Sequence, residues 1–185
     1  MNKYNIPYVR IFEPTVIINI ENIKFGKYII IDSFVLIQAK QTITIGDHVH
    51  IPSFSSISGG GTLVMEEYSG LSSGVRIFTG SDDYKGWGFG NPTIDKKFRN
   101  VTNGEVLVKK FAIIGANTVI LPNVEIGEGA AVGAGSVVTK SLEPWGIYIG
   151  NRKIGERNRE EVVNNFNEFL NTAESERIGP YFINT

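Results

Sequence analysis

The chain has 185 residues, no cysteine and a formal net charge of −1 at neutral pH. This length suits a single domain with a proper hydrophobic core. The balanced charge argues against a bulk nucleic-acid partner. Without cysteine, the chain has no disulfides, zinc–thiolate sites or cysteine nucleophiles. The 21 glycines follow no collagen period and therefore indicate many tight turns.

The first residues, MNKYNIPYVRIFEP, lack the apolar core and the small-residue cleavage site of a signal peptide. No apolar run reaches the length of about 18 residues that a membrane-spanning helix needs. We therefore expect a cytoplasmic protein without membrane insertion.

An aliphatic residue recurs every six positions over much of the chain. This period is neither helical nor that of a simple strand, and it predicts hexads that each contain a short strand and a turn. One aliphatic side chain of each hexad points inward, and three hexads form one triangular coil. The runs, which are offset from one another by two residues, are Phe25, Ile31, Ile37, Ile43; Ile45, Ile51, Ile57, Leu63; Met65, Leu71, Ile77; and Val108, Ile114, Ile120, Ile126, Val132, Val138.

These runs predict an all-β solenoid, a parallel β-helix of about five to six triangular coils. We interpret the two-residue offsets as small bulges or corner insertions. An antiparallel β-sandwich, the alternative, would show alternation over short strands instead of a sustained spacing of six. The flat faces of a short solenoid tend to pack against copies of themselves, so we expect a homo-oligomer.

The repeat stops near Thr79 and resumes near Val108, which leaves residues 79–107 as a long inserted loop. Loops of this length in compact domains are usually functional or disordered. Its aromatic content indicates order through packing or ligand contact, and the alternative is a loop that braces a neighbouring subunit. The aromatic residues concerned are Tyr84, Trp87, Phe89 and Phe98.

The β-helix domain is expected to span residues 1–154, and residues 155–185 form a helical extension. In this extension the sequence GERNREEVVNNFNEFLNTAE places Val162, Phe166, Phe169 and Leu170 on one helical face. We expect this helix to cap the prism or an adjoining subunit. A membrane-surface role is disfavoured because the polar face is mixed in charge.

The hexads from Ile114 to Glu143 read IGANTV, ILPNVE, IGEGAA, VGAGSV and VTKSLE, and PWGIYIGNRKI follows them. In these motifs the chain resembles the hexapeptide-repeat acyltransferases, and among them the sugar O- and N-acetyltransferases of bacterial surface-polysaccharide pathways. The resemblance runs from Asn22 to Arg157 and includes IGDHVHI, SGGG, SGLSSGVRI and SDDY. It implies that the β-helix is left-handed.

The resemblance also implies a homotrimer whose three active sites lie in the grooves between neighbouring prisms, where acetyl-CoA binds along the coils. Small side chains let the pantetheine arm approach, and basic side chains neutralise its phosphates. One departure is that Gly150-Asn151 runs directly into the basic pair, without the Pro-Ala of most relatives. The coenzyme-binding positions that the resemblance assigns are Ala116, Ala134, Thr139, Lys140, Arg152 and Lys153.

Acyl transfer from a thioester needs an attacking hydroxyl or amine, a proton acceptor and hydrogen-bond donors for the oxyanion. Imidazole is the side chain that accepts a proton near neutral pH, and the chain has two histidines, His48 and His50. If Val49 and Ile51 point inward, both histidines point outward. We take His50 as the candidate base.

Galactoside-type relatives carry their catalytic histidine in the loop where this chain has Asp82 and Asp83. Two interpretations follow. In the first, His50 is the base and Asp82 or Asp83 orients it, which suits a sugar hydroxyl. In the second, the carboxylates bind substrate and the nucleophile needs little help, which suits an amino sugar.

The main functional expectation is transfer of an acetyl group from acetyl-CoA to a sugar hydroxyl in the synthesis of O-antigen or capsule precursors. The alternative is N-acetylation of a nucleotide-linked amino sugar. In either case Tyr84, Trp87 and Asn91 are expected to contact the acceptor. A non-enzymatic scaffold is disfavoured by the aromatic loop. A metal lyase of the γ-carbonic anhydrase type would need three histidines per metal, so we expect no metal.

Overall fold

The structure is a computed structural model that describes residues 4–182. Its short strands form three flat parallel sheets, which are the faces of a triangular prism around an aliphatic core. The fold is the predicted left-handed parallel β-helix. Seven parallel strands stack on the first face, so there are about seven coils where five to six were predicted. The additional coil precedes Phe25, because Ile11, Ile17 and Ile23 continue the hexad spacing and are buried.

The strands are distributed over the three faces as follows. The first face contains β1 (Val9–Ile11), β4 (Ile29–Ile31), β7 (His50–Ile51), β10 (Gly70–Leu71), β15 (Ile113–Ile114), β18 (Ala131–Val132), β20 (Gly146–Ile149) and the antiparallel β21 (Arg152–Glu156). The second face contains β2 (Val16–Ile18), β5 (Leu36–Gln38), β8 (Ser56–Ser58), β11 (Arg76–Phe78), β16 (Val119–Ile120) and β19 (Val137–Val138). The third face contains β3 (Ile23–Phe25), β6 (Ile43–Ile45), β9 (Leu63–Met65), β14 (Val106–Val108) and β17 (Val124–Ile126).

The remaining elements lie outside the faces. In the long loop, β12 (Gly80–Ser81) pairs with the antiparallel β13 (Thr102–Asn103). The C-terminal part contains α1 (Arg159–Asn171) and α2 (Glu174–Arg177). Short 3₁₀ turns occur at Ile20–Asn22, Lys96–Phe98 and Pro180–Phe182. No helix in residues 4–182 is both long enough and apolar enough to cross a membrane.

Coil length explains the two-residue offsets of the repeat. In the coils before the long loop, residues 20 positions apart lie side by side, as Ile30, His50 and Gly70 do. In the coils after the loop the step is 18 residues, as between Ile113 and Ala131. The two extra residues lie at the corner between the second and third faces, so the offsets are corner insertions. The long loop leaves the prism at this same corner.

The core consists of columns of branched side chains, one column for each face. Ile31, Ile51 and Ile114 form part of the first-face column and are fully buried. A fully buried aliphatic side chain of this size contributes roughly 1.5–3 kcal/mol relative to an exposed one. Stacked hexads therefore stabilise one another, although each strand has only a few residues.

An aromatic ladder lines the corner between the third and first faces. Its members share the left-handed backbone conformation, which costs a non-glycine residue roughly 1–2 kcal/mol, and the contacts between successive rings offset that cost. Gly129 occupies one rung, where a Cβ would lie 2.4 Å from the ring of Trp145. The rungs with side chains are Tyr8, Tyr28, His48, Tyr68, Phe111 and Trp145.

The C-terminal extension packs along this ladder. The ring of Phe166 lies 5.0 Å from those of Tyr68 and Phe111, and Phe169 lies 5.7 Å from His48. Within this chain the helix covers a lateral corner and not the end of the prism, so the predicted cap on the prism is wrong. Packing of the helix on an adjoining subunit stays a prediction. Leu170, predicted on the apolar face, is 45% exposed.

Candidate active site

The long loop is attached to the prism by a short antiparallel stem. It leaves after the buried Thr79 and rejoins the third face at Val106. In the stem Gly80 is opposite Asn103 and Ser81 is opposite Thr102.

The stem packs closely against the glycine run of residues 59–61. A Cβ on Gly61 would lie 1.9 Å from the carbonyl oxygen of Gly104. A Cβ on Gly60 would lie 2.5 Å from Asn103 Oδ1. The run is therefore needed for close approach of the loop to the corner.

Asp83 organises the first turn of the loop. Its carboxylate accepts hydrogen bonds from the backbone N–H groups of Lys85 at 2.7 Å, Gly88 at 2.8 Å and Trp87. These donors, with that of Lys85 the largest cause, lower the pKa of Asp83 below its usual value. The carboxylate is thus ionised and already partnered, which suits loop organisation better than proton transfer.

Asp82 is more accessible than Asp83 and has a cationic partner. Its Oδ1 accepts a hydrogen bond from Arg99 Nη2 at 3.3 Å. The side chain of Asp82 is 48% exposed, whereas that of Arg99 is 18% exposed. Arg99 Nε is buried and has no hydrogen-bond partner within residues 4–182. Because about half of the Asp82 side chain is exposed, its carboxylate can still accept hydrogen bonds from a ligand.

Two clefts meet at Ser81 and Asp82. The corner cleft, of about 360 Å³, lies between the loop and the prism, and the loop cleft, of about 310 Å³, lies on the loop itself. The corner cleft is lined by Lys40, Gly59, Gly60, Gly80, Ser81, Asp82, Arg99, Val101 and Asn103. The loop cleft is lined by Ser81, Asp82, Asp83, Tyr84, Lys85, Trp87, Asn100 and Thr102.

The predicted acceptor-binding residues are only partly brought together. Tyr84 and Trp87 line the loop cleft and are 94% and 82% exposed. Asn91 lines neither cleft. Its Oδ1 accepts hydrogen bonds from the backbone N–H and the hydroxyl of Thr93, so it stabilises a turn.

His50 lies on the first face, away from the corner where the loop is attached. Its Nε2 is 3.0 Å from Asp32 Oδ2. Within one chain Asp32, and neither Asp82 nor Asp83, lies beside the His50 ring. Orientation of His50 by a loop carboxylate of a neighbouring subunit stays a prediction. Sequence reasoning missed Asp32. The 20-residue coil step could have found it, since Ile30 is the neighbour of His50 and Asp32 follows on the same face.

His48 belongs to the aromatic ladder and does not share the surface of His50. Its ring lies 4.9 Å from that of Tyr28 and is stacked 5.0 Å from that of Tyr68. Burial among these rings lowers the pKa of His48. The left-handed backbone of His48 turns its side chain onto the corner, which pleat alternation alone does not predict.

The predicted coenzyme-binding residues lie in the last coils. Ala116 and Ala134 occupy equivalent corner positions one coil apart, between the first and second faces. Asn151, at the departure noted in the sequence, accepts hydrogen bonds from the backbone N–H groups of Thr139 and Lys140 at 2.9 and 3.2 Å. It thereby ties the final hairpin to the end of the last coil.

The basic residues of this region differ in their partners. Lys153 Nζ lies 2.6 Å from Glu156, and this hydrogen bond raises the pKa of Lys153. Lys140 and Arg152 form none of the ion pairs found in residues 4–182. Their charges are therefore available to an anionic ligand. The same residues 4–182 contain no cluster of three or more side chains of the kind that could hold a metal ion.

Comparison with known proteins identifies the class. A family model described as bacterial transferase hexapeptide (six repeats) matches residues 105–140. The dTDP-4-amino-4,6-dideoxy-D-glucose acyltransferase of Escherichia coli is 36% identical over 131 residues, which are 70% of this chain and 68% of that protein. The chain therefore belongs to the hexapeptide-repeat acyltransferases, and the predicted class of enzyme is confirmed.

Solved structures of AntD, an N-acyltransferase from Bacillus cereus, are similar over nearly the whole chain. A variant of AntD in complex with dTDP-4-amino-4,6-dideoxyglucose and coenzyme A has a TM-score of 0.82 and 35% identity, and the match covers 90% of this chain and 92% of AntD. AntD in complex with dTDP and 3-hydroxybutyryl-CoA has a TM-score of 0.75 and 36% identity, with coverage of 89% and 86%.

Proposed function

We propose that this protein transfers an acyl group from a coenzyme A thioester to the amino group of a dTDP-linked amino sugar. The single observation that carries the proposal is the similarity, over nine tenths of the chain, to an N-acyltransferase complexed with such a sugar and coenzyme A. The relatives favour N-acylation, the alternative expectation, over the sugar hydroxyl that we expected first. The sugar is proposed to be a 4-amino-4,6-dideoxy hexose and the acyl group acetyl, for use in surface-polysaccharide synthesis.

In the proposed reaction the sugar nitrogen attacks the thioester carbon, a tetrahedral intermediate forms, and the thiolate of coenzyme A leaves. The nitrogen must lose one proton, and the leaving thiolate can receive one. An uncharged amine is a better nucleophile than a hydroxyl, so it needs only modest assistance.

We propose His50 as the group that accepts this proton, with Asp32 as a positioning residue. A carboxylate 3.0 Å from one ring nitrogen fixes the orientation and the tautomer of an imidazole. We propose Asp82 as a hydrogen-bond acceptor for the sugar amine. Asp83 is proposed to act through the conformation of the loop.

These residues must approach one another across a subunit boundary, because His50 and the loop lie on different sides of one prism. We therefore propose a homotrimer in which the loop of one subunit lies over the first face of the next. Exposed apolar side chains support a buried contact. Phe34 and Phe54 are stacked 5.3 Å apart and are 57% and 64% exposed, and Val16 is 53% exposed.

The coenzyme is proposed to bind along the last coils. Ala116 and Ala134 present little side chain at their corner, which leaves room for the pantetheine arm. Lys140 and Arg152 carry free charges for the phosphates, and Thr139 lies beside Lys140. Lys153 is engaged by Glu156 and contributes less.

A thiol-release assay tests the proposal. Purified protein with acetyl-CoA should release coenzyme A when dTDP-4-amino-4,6-dideoxyglucose is added, and not when dTDP-glucose, which offers only hydroxyls, replaces it. Release with dTDP-glucose alone would favour O-acetylation. No release with either acceptor would contradict the proposed function.

A further inference from the structure

We propose that the corner cleft binds the diphosphate of the acceptor nucleotide through Lys40 and Arg99. This inference rests on the proposed function and assigns a part of the acceptor that the catalytic argument does not use. The sequence motifs gave no role to either cation.

The position of Lys40 follows from the coil step. Ile37, Ile57 and Ile77 lie side by side on the second face, so Lys40, Gly60 and Gly80 occupy the same corner position in three successive coils. The two following positions are glycines, and the side chain of Asn103 occupies the space beside both of them. Lys40 is exposed and forms none of the ion pairs found in residues 4–182. Its ammonium group is therefore free to enter the cleft.

Arg99 approaches from the loop side and is incompletely partnered. Its Nη2 donates one hydrogen bond of 3.3 Å to Asp82, and its buried Nε has no partner among residues 4–182. The side chain of Arg99 lines the cleft, and its hydrogen bond to Asp82 uses one of the five N–H donors of the guanidinium. The planar guanidinium also matches two oxygens of a phosphate.

The charges in the cleft match those of a nucleotide-linked amino sugar. Lys40 and Arg99 are cationic, and Asp82 is the carboxylate that lines the cleft with them. In such a sugar the diphosphate is attached to C1 and the amine to C4, on opposite sides of one ring. Lys40 and Arg99 can therefore hold the diphosphate while Asp82 accepts a hydrogen bond from the amine.

Coenzyme A also contains a diphosphate, so the test must separate the two ligands. Calorimetric titration of dTDP and, separately, of coenzyme A is done with the full-length protein, with Lys40→Gln and with Lys24→Gln. Lys24 is a matched control, since it is an exposed lysine on the third face. We expect Lys40→Gln to weaken dTDP binding about tenfold, as the loss of one charged hydrogen bond does. Coenzyme A binding and both affinities of Lys24→Gln should stay at the wild-type values.

Three results would overturn the inference: unchanged dTDP affinity in Lys40→Gln, no dTDP binding by the wild type, or a loss confined to coenzyme A. Arg99→Lys is a second variant that keeps the positive charge but loses the planar guanidinium, and it should also weaken dTDP binding.

The thiol-release assay distinguishes failure of this inference from failure of the proposed function. If the wild type transfers acetyl to the amino sugar and Lys40→Gln has an unchanged KM for that acceptor, only the cleft assignment fails. If the wild type transfers nothing, the proposed function itself fails.

Discussion

His50 Nε2 lies 3.0 Å from Asp32 Oδ2, although the two residues belong to successive coils of the prism. The contact exists because a coil of 20 residues brings the end of β4 beside the start of β7. A carboxylate and an imidazole at this distance form an oriented pair on an otherwise open face. The pair gives the proposed base a fixed direction.

Replacing His50 with Gln should lower kcat for acyl transfer by roughly 10²- to 10⁴-fold, the usual contribution of a general base. The KM for acetyl-CoA should change little, because His50 is not among the proposed coenzyme contacts. Steady-state kinetics with the amino-sugar acceptor measures both values. A kcat equal to that of the wild type would contradict the role of His50 as the proton acceptor.

Asp32→Asn should lower kcat less than His50→Gln does, by roughly tenfold, since the imidazole remains but loses its orienting charge. Asp32→Glu keeps the carboxylate and should restore most of the wild-type kcat. A merely structural role for Asp32 would instead lower the thermal stability of Asp32→Asn and leave its kcat at the wild-type value.

The two loop carboxylates should behave differently when each is replaced. Asp82→Asn should raise the KM for the amino-sugar acceptor about tenfold through loss of a charged hydrogen bond to the amine. Asp83→Ala should instead increase hydrogen exchange of residues 84–88, because three backbone donors lose their shared acceptor. If Asp82→Asn leaves the acceptor KM unchanged, Asp82 does not contact the amine.

Substitution of Gly61 should lower the stability of the fold. Gly61→Ala forces a Cβ to within 1.9 Å of the carbonyl oxygen of Gly104, so we expect a loss of about 1–3 kcal/mol in the free energy of unfolding. Gly179→Ala is the matched control, since a Cβ there meets nothing within 4 Å. Chemical denaturation compares the two variants. Equal free energies of unfolding would contradict the close packing of the loop stem on the glycine run.

His48 should make stability depend on pH. Burial holds its pKa below the usual value of 6.5, so the unfolded chain binds the proton first as the pH falls. Stability from this group is present above about pH 6.5 and declines as the pH drops below that value. His48→Tyr keeps a ring in the ladder and removes the titration. Between pH 7.5 and 5.5 its Tm should therefore fall less than that of the wild type, and an equal fall would exclude His48 as the cause.

The sequence predicts most of the fold because its inward positions repeat with a countable spacing. The spacing of six fixes which side chains are buried, as at Ile31, Ile51 and Ile114. The first coil lies outside the predicted runs, which start at Phe25, although Ile11 and Ile17 continue the spacing and are buried. The expected cap on the end of the prism was wrong, because the helix packs on corner residues of successive coils that share a left-handed backbone. The hexad pattern does not mark these residues as apolar.

The candidate site was harder to predict because its contacts join distant coils. The sequence points to His50 and Asp82, since their residue types suit acyl transfer. It does not pair His50 with Asp32 or Asp82 with Arg99, because those pairs depend on coil length and on the path of the loop. His48 shows the same limit, since pleat alternation places it outward while the actual corner geometry buries part of its ring.

The most direct test of the proposed function is the identity of the product formed by the wild-type protein from acetyl-CoA and dTDP-4-amino-4,6-dideoxyglucose. Mass spectrometry and NMR of the purified product should show a single acetyl group attached as an amide to the nitrogen at C4. An acetyl ester on a ring hydroxyl, or recovery of the unmodified sugar together with intact acetyl-CoA, would contradict the account.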